Sequence, residues 1–167
     1  RPPGGADDGL LRSAFIWDHM DKAGVPDVRG VGCYQGRFFT AVSIKQRYPG
    51  HAKQAEMIAA QCQTGAYLGR YVVVVDDDID VYDMNDVLWA MCTRVDPQAD
   101  TDFIRRAWSG PLDPAIPKDQ KGFSSRAIID ATKPYEWAKD FPRASAASEE
   151  LKNNVAEKYG RYFGSKH

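Results

Sequence analysis

The feature that most constrains the fold is an unbroken run of four valines, residues 72–75, that ends in a group of aspartates. A strand with one face in water alternates apolar and polar residues, but this run has no polar face. It is therefore predicted to lie at the centre of a sheet that helices cover on both sides. The flanking segments alternate between strand and helix patterns, which predicts an α/β domain of three layers, α/β/α.

Shorter sequence patterns predict the other elements. A hairpin among them predicts that the sheet is mixed rather than purely parallel. Gln35-Gly36 lies between two strand patterns and predicts a hairpin turn. Asp83 is expected to cap the helix that follows it. The predicted helices cover residues 10–22, 51–68, 84–93 and 148–162, after an opening loop at 1–9, and the predicted strands cover residues 28–34, 37–44, 71–75, 103–108 and 127–129.

Composition excludes several classes of protein. The 167 residues suffice for one domain with a core, and 22 basic residues nearly balance 23 acidic ones. A nucleic-acid or anionic-membrane surface would need a basic excess, and no apolar run approaches the ~20 residues that span a bilayer. The three cysteines are too far apart for a metal pair and are expected to be buried thiols, which favours the cytoplasm.

The densest group of chemical side chains is the acidic cluster, which we define as Asp76, Asp77, Asp78, Asp80 and Asp83. Ligands often bind at the carboxyl ends of strands in α/β sheets. The cluster could be a divalent-metal site or a phosphoacceptor pocket. It could equally be structural, with Asp83 as a helix cap and other members paired with Arg94 or Lys45.

Other candidate residues give weaker signals. His51 begins a predicted helix beside Lys53, where an anion could bind, but a histidine hydrogen-bonded to its own loop fits better. Trp89 has apolar neighbours and is predicted to be in the core. Trp108 precedes a Pro-rich loop and could form the wall of a pocket for a planar substrate. Neither a nucleophile elbow nor a phosphate-binding glycine loop occurs.

Several segments, in one order, resemble the carboxy-terminal domain of UbiD-type decarboxylases. The central match is VVDDDIDV at residues 74–81, followed by DVLWA at 86–90 and TRVDP at 93–97. The flanking matches are SIKQRYPGHAK at residues 43–53, SGPLDP at 109–114 and SRAIIDATK at 125–133. The resemblance extends over about residues 2–137, and several matches in register are more specific than any one of them.

This resemblance implies a domain of a reversible, non-oxidative carboxy-lyase that acts on an aromatic or α,β-unsaturated carboxylic acid. Such enzymes use prenylated FMN, a divalent metal (manganese or magnesium) and often potassium, all held mainly by earlier domains. Residues 1–145 would then be the α/β domain, and residues 146–167 a helix and tail that contact another subunit or domain. A fragment of this kind shapes the substrate cleft and the oligomer, and is expected to be inactive alone.

The same resemblance assigns few site residues to this chain. Pro111 and Leu112 resemble the loop that faces the substrate, with Asp113 beside it. Tyr34, in the hairpin, is expected to approach the same cleft. No catalytic, flavin or metal residue is carried over, and the acidic cluster is interpreted as structural.

Two alternatives remain open at the level of sequence. A metal- and nucleotide-binding transferase domain would use residues 76–80 to hold a cation. A non-catalytic interaction module would present residues 148–162 to a partner. Neither the acid, the direction of the reaction nor the number of subunits follows from the sequence.

Overall fold

The structure, a computed structural model, describes residues 6–142, 144–145 and 147–160. The helices are α1 (Ala6–Lys22), α2 (His51–Gln61), α3 (Gln63–Ala66), α4 (Met84–Arg94) and α5 (Glu149–Tyr159). The strands are β1 (Val28–Tyr34), β2 (Phe39–Ile44), β3 (Tyr71–Asp76), β4 (Thr101–Trp108) and β5 (Phe123–Ala131).

The five strands form one mixed sheet in the order β1-β2-β3-β5-β4. Strands β2, β3 and β5 are parallel, and β1 and β4 are antiparallel edge strands. The valine run is the central strand, and all four valines are buried. The predicted position of this strand is confirmed, because only a strand covered on both faces can bury every side chain.

Two hydrophobic clusters, one on each face of the sheet, make the domain three-layered. On one face α1 and α2 pack over Val72, Val74 and Ile128. On the other face α4 packs over Val73 and Val75. The predicted α/β/α architecture with a mixed sheet is confirmed.

The predicted helix at residues 51–68 is wrong in one respect, because it breaks at Cys62. Cys62 has the extended ψ of 152° and separates α2 from α3. A Cβ at Gly65 would lie 1.9 Å from the Ala59 carbonyl oxygen, so the turn requires glycine. The break directs the chain back towards the start of β3.

The predicted bounds of other elements also change, and β2 begins at Phe39 rather than at residue 37. Helix α1 begins at Ala6 rather than residue 10, so part of the predicted opening loop is helical, and residues 1–5 lie outside the described residues. Strands β4 and β5 are longer than predicted. A bulge in β4 between Ile104 and Ala107 places Arg106 at φ 51°.

Helix α4 is the only described helix packed on its face of the sheet, and two predictions fail there for that reason. Trp89 is 40% exposed rather than in the core, and Cys92 on the same helix is exposed rather than buried. Both residues lie on the outer side of α4, which no further layer of described residues covers. The Arg94 guanidinium instead lies over the Trp89 ring, 5.3 Å from the ring centroid.

Two glycines of β1 allow the connection after β3 to pack directly on the sheet. A Cβ at Gly32 would lie 2.2 Å from the Val81 carbonyl oxygen, and one at Gly30 would lie 2.8 Å from a Val81 methyl group. The Tyr34 hydroxyl donates to the same Val81 carbonyl at 2.5 Å. The segment from Ile79 to Val81 is thereby held on β1 before α4 begins.

Helix α5 stands apart from this core. Ser148 caps it by accepting a hydrogen bond from the Leu151 backbone N–H at 3.2 Å. Leu151, Val155 and Tyr159 form an exposed apolar stripe, and residues 161–167 lie outside the described residues. Within the described ranges, no helix has both the length and the apolar character that crossing a bilayer requires.

Candidate functional site

Two members of the acidic cluster, Asp76 and Asp78, lie at the carboxyl edge of the sheet, where β2, β3 and β5 end. Arg94, buried at the end of α4, donates from Nη1 to Asp76 at 3.0 Å. Its two terminal nitrogens bind both oxygens of Asp78, each at 3.0 Å. The pairing with Arg94 that the structural interpretation predicted is present.

Two further side chains complete this network. Gln46 Nε2 donates to Asp76 and to the Lys133 carbonyl, both at 2.8 Å. The Lys133 backbone N–H donates to Asp76 at 2.7 Å, and its Nζ lies 2.5 Å from Asp78. Burial alone would raise the pKa of Asp78, but Arg94 and Lys133 outweigh it and lower that pKa.

The network lies at the place where α/β sheets usually bind ligands. Strand β2 leads to α2 on one face and β3 leads to α4 on the other, so a crevice opens between their carboxyl ends. Asp76 and Gln46 line this crevice, together with Asp77 and Lys133. Asp80 and Asp83 accept backbone N–H groups of Tyr82 and Asn85, at 2.8 and 2.9 Å. Among the described residues, no three histidine, cysteine or acidic side chains are arranged to hold a metal ion.

Replacing Arg94 with methionine is expected to lower the free energy of unfolding by about 3 kcal/mol, because Asp76 would remain buried without its cation. Urea denaturation at pH 7 measures this change. Lys22→Met is the control, since the Lys22–Asp18 pair is exposed and should contribute under about 1 kcal/mol. Equal losses in the two variants would contradict the structural role of Arg94.

His51 and Lys53 do not form an anion site. His51 is buried, and its Nδ1 accepts the Arg47 backbone N–H at 3.3 Å, which confirms the histidine as part of its own loop. Burial lowers its pKa, and the nearby Pro26 backbone and the charge of Asp27 partly offset this effect. Lys53 Nζ lies 2.5 Å from Glu56 and 2.6 Å from Asp102, so its charge is already paired.

Glu56 is a candidate that the sequence did not reveal, because it lies within the buried face of α2. Its side chain is fully buried, and its Oε2 accepts no hydrogen bond from any described residue. Burial raises the pKa of Glu56 from 4.5 to about 7, against the opposing hydrogen bond and charge of Lys53. The carboxyl group is therefore more easily protonated in the folded chain than in the unfolded one.

Glu56→Gln is expected to stabilise the protein at high pH only. The folded-state pKa is raised, so the stability linked to the neutral carboxyl group is full below pH 4.5 and is lost as the pH rises through 7. Above that pH the variant should gain up to about 3 kcal/mol over the natural sequence, with no gain near pH 4.5. Urea midpoints at both pH values measure it. Glu157→Gln on exposed α5 is the control, and a variant that is no more stable at pH 8.5 would contradict the expectation.

The predicted substrate residues lie at the opposite, amino edge of the sheet. Strands β1 and β4 run antiparallel to their neighbours, so both end where β2, β3 and β5 begin. Tyr34 ends β1, and the loop with Pro111, Leu112 and Asp113 follows β4. The topology thus places all four on one edge, although no direct contact joins Tyr34 to the loop among the described interactions.

The loop at residues 109–122 is fixed at its ends and at one buried carboxylate. The Ser109 N–H donates to the Gly122 carbonyl at 2.8 Å. Asp113 is fully buried, pairs with Arg70 just before β3, and accepts the Ala115 N–H at 3.0 Å. Leu112, between these anchors, is 66% exposed. The loop therefore presents an apolar side chain from a fixed backbone.

Tyr67 joins this loop to the β1–β2 turn, and the sequence did not reveal it. The Arg37 guanidinium lies 4.9 Å from the Tyr67 ring, and the Trp108 ring lies 5.9 Å from the same ring at an interplanar angle of 49°. A Cβ at Gly110 would approach Tyr67 to 2.6 Å, so the loop requires glycine there. Trp108, suggested as a pocket wall, packs at the base of the loop and is about half exposed.

The side chains at the amino edge can form the wall of a cleft but are not suited to catalysis. Burial, with the charges of Asp80 and Asp83, raises the pKa of the Tyr34 phenol, so the group stays neutral. Asp113 has its charge paired, and Leu112 and Pro111 are apolar. Such residues can orient a substrate and exclude water, but they supply neither a nucleophile nor a paired acid and base.

Comparison with known proteins identifies the family to which this chain is similar. Residues 8–131 match the model of the 3-octaprenyl-4-hydroxybenzoate carboxy-lyase C-terminal domain. An uncharacterised protein of Aeropyrum pernix is 40% identical over 134 residues, which are 78% of this chain and 26% of that protein.

Solved structures agree with this match. The UbiD-class enzyme HmfF from Pelotomaculum thermopropionicum, in complex with FMN, has a TM-score of 0.73 at 30% identity over 85% of this chain and 31% of its own. An evolved dimeric form of HmfF has been solved with prFMN. The 3,4-dihydroxybenzoic acid decarboxylase of Enterobacter cloacae has a TM-score of 0.74 at 26% identity over 90% of this chain and 33% of its own. The chain thus spans about a quarter to a third of the length of these relatives.

Proposed function

The chain belongs to the UbiD family as its carboxy-terminal domain, and on that premise we propose that it is one domain of a longer carboxy-lyase. The enzyme would remove or add a carboxylate, reversibly and without oxidation, on an aromatic or α,β-unsaturated acid. The observation that carries this proposal is the family match over residues 8–131, which includes the whole sheet and the anchored loop at its amino edge.

This domain would contribute a wall of the substrate cleft. Leu112 and Pro111 would contact the apolar part of the acid, and Asp113 would hold their loop through its pair with Arg70. Tyr34 would lie on the same side of the cleft as a neutral phenol. Movement of this wall could open and close the cleft and so limit turnover without taking part in the chemistry.

The cofactors would be held by other domains of the enzyme. Relatives bind FMN and prFMN, and a prenylated flavin, when bound, supplies an electron sink for the departing carbon dioxide. A divalent metal (manganese or magnesium) and potassium would accompany it there, because Asp76 and Asp78 in this chain are already paired with Arg94. The apolar stripe of α5 would contact another subunit or domain, and the cytoplasm is the proposed location.

The first test is the intact mass of the protein in its native source, together with an absorption spectrum. A chain several times heavier than 18.6 kDa, with a flavin band and carbon dioxide release from an aromatic or unsaturated acid, is expected. The 167-residue chain alone should release none, even with the flavin supplied. A colourless native protein of 18.6 kDa would overturn the proposal and favour the interaction module.

Leu112→Trp in the complete enzyme is expected to lower kcat/KM for its acid at least about tenfold, because the larger side chain would enter the cleft. The melting temperature should stay unchanged, since Leu112 is exposed. Leu88→Trp, at an exposed position on the outer side of α4, is the matched control. Equal kcat/KM values in both variants would remove Leu112 from the cleft.

A further inference from the structure

Three acidic side chains from three elements lie around one lysine on the sheet face that α1 and α2 cover. We call this group the Glu56 cluster: Glu56 and Lys53 of α2, Asp102 of β4 and Asp130 of β5. Asp102 pairs directly with Ile128, and Asp130 is two residues further along β5. Ile128 belongs to the core beneath α1 and α2, so both aspartates project from that face, towards the buried side of α2 that carries Glu56.

Lys53 is the one cation that the described ion pairs place in this cluster. Its Nζ lies 2.5 Å from Glu56 Oε1 and 2.6 Å from Asp102 Oδ2, so it joins the first turn of α2 to the edge strand β4. Asp130 accepts the Thr132 N–H and hydroxyl groups at 2.9 and 2.7 Å, and the charge of Asp100 also acts on it. A single positive charge therefore serves carboxyl groups from a helix and two strands.

The surroundings of Glu56 do not suit a negative charge. Its side chain is fully buried, and its Oε2 accepts no hydrogen bond from any described residue. Burial is the largest cause of its raised pKa. Lys53 opposes this effect, and the charges of Asp130 and Asp102 add to it. Once ionised, such a carboxylate is stabilised only by a full set of partners or by water, so the elements around it must move.

We propose that Glu56 operates a proton-dependent clamp that holds the edge strand β4 on α2. When Glu56 is neutral, Lys53 pairs with Asp102 and the helix and strand are held together. When Glu56 is ionised, it competes with Asp102 for Lys53 and repels both aspartates, and water reaches it as β4 moves away from α2. Strand β4 is the element that yields, because it is hydrogen-bonded to a neighbouring strand on one side only.

The clamp loosens as the pH rises. Because the folded-state pKa of Glu56 is raised, the clamp is intact below pH 4.5 and is lost as the pH rises through about 7. Strand β4 leads into the loop at residues 109–122, so the base of that loop is held less firmly at high pH. This last consequence, for the cleft wall that carries Leu112, rests on the proposed function, whereas the clamp itself does not.

Hydrogen–deuterium exchange of the complete protein at pH 6 and pH 8.5 tests the clamp. After correction for the intrinsic pH dependence of exchange, the protection of β4 amides should fall at least about fivefold at the higher pH. Strand β1, the opposite edge strand, is the internal control and should change less than about twofold. In Glu56→Gln, β4 should be equally protected at both pH values, because no charge forms there. Equal protection of β4 in the natural protein, or an equal fall in β1, would overturn the proposal.

A second variant tests whether β4 takes part in the titration. Asp102→Asn should lower the pH at which half of the protection is lost by at least about half a unit, because the charge of Asp102 raises the pKa of Glu56. Asp119→Asn, in the exposed loop, is the control and should leave this pH unchanged. An unchanged pH in Asp102→Asn would overturn the clamp. Carbon dioxide release by the same sample tests the proposed function separately, so an active enzyme whose β4 does not respond to pH would overturn only this inference.

Discussion

Gly32→Ala is expected to lower the free energy of unfolding by at least about 3 kcal/mol, because the new methyl group would meet backbone rather than a flexible side chain. The Cβ would lie 2.2 Å from the Val81 carbonyl oxygen. Relief of that contact would move the whole segment from Ile79 to Val81 off β1 and break the hydrogen bond from Tyr34. Urea denaturation followed by tryptophan fluorescence measures the loss.

Gly160→Ala is the control for this substitution. A Cβ at Gly160 meets no atom within 4 Å, and its φ of −52° suits any residue. The change should alter the free energy of unfolding by no more than about 1 kcal/mol, in the stabilising direction if at all. A Gly32→Ala protein as stable as this control would mean that the connection after β3 is not packed on β1.

A second large loss of stability is expected on substitution of Arg126, whose side chain is buried and pairs with no described carboxylate. The guanidinium donates to the carbonyls of Gly69 at 3.3 Å, Ala66 at 2.7 Å and Trp108, and to the Gln61 side chain at 3.1 Å. It therefore ties the connection before β3 to the end of β4. Burial lowers its pKa, but the backbone dipoles supply the partners that the cation needs.

Arg126→Met should lower the free energy of unfolding by about 3–5 kcal/mol, because two buried carbonyls and the part-buried Trp108 carbonyl would lose this donor. Arg126→Lys should recover less than half of that loss, since an ammonium group cannot reach carbonyls on two sides as the planar guanidinium does. Thermal unfolding of both variants gives the comparison. A methionine variant within 1 kcal/mol of the natural sequence, on the scale of a single hydrogen bond, would contradict this role.

Features encoded within a few adjacent residues could be predicted from the sequence. The valine run of β3 and the cap at Asp83 are such local features. A strand buried on both faces requires consecutive apolar residues, and a free N–H group at a helix start requires a capping side chain next to it. The exposure of Trp89 could not be predicted in this way. It depends on how many helices cover one face of the sheet, which the sequence of α4 does not contain.

Some glycines in the sequence indicate close backbone contacts that the helix and strand patterns alone do not. Gly65 within an otherwise helical pattern marks the break after Cys62, and Gly30 and Gly32 on one face of β1 mark the close approach of Val81. An isolated glycine in a strand often indicates such an approach. The pairing of Arg70 with Asp113 joins residues 43 positions apart, and only the folded chain brings them together.

At the amino edge, Tyr34 and the loop share one side because β1 and β4 are antiparallel edge strands. That arrangement follows from the topology once the strand order is known, but the order itself was not predictable from local patterns. The role of these residues in a substrate cleft remains a proposal, which the Leu112 variant tests.

The hydrogen bond between Ser109 and Gly122 has a consequence for how proteins of this kind diversify. Because the two ends of the loop are hydrogen-bonded to each other, the residues between them have little effect on the structure of the strands on either side. The entropy of closing such a loop rises only with the logarithm of its length. Residues 114–121 can therefore be lengthened, shortened or exchanged as a cassette while the sheet stays unchanged, provided that Gly110 and Asp113 are kept. If the loop forms the wall of the substrate cleft, as we propose, loop replacement would change selectivity while the sheet stays constant.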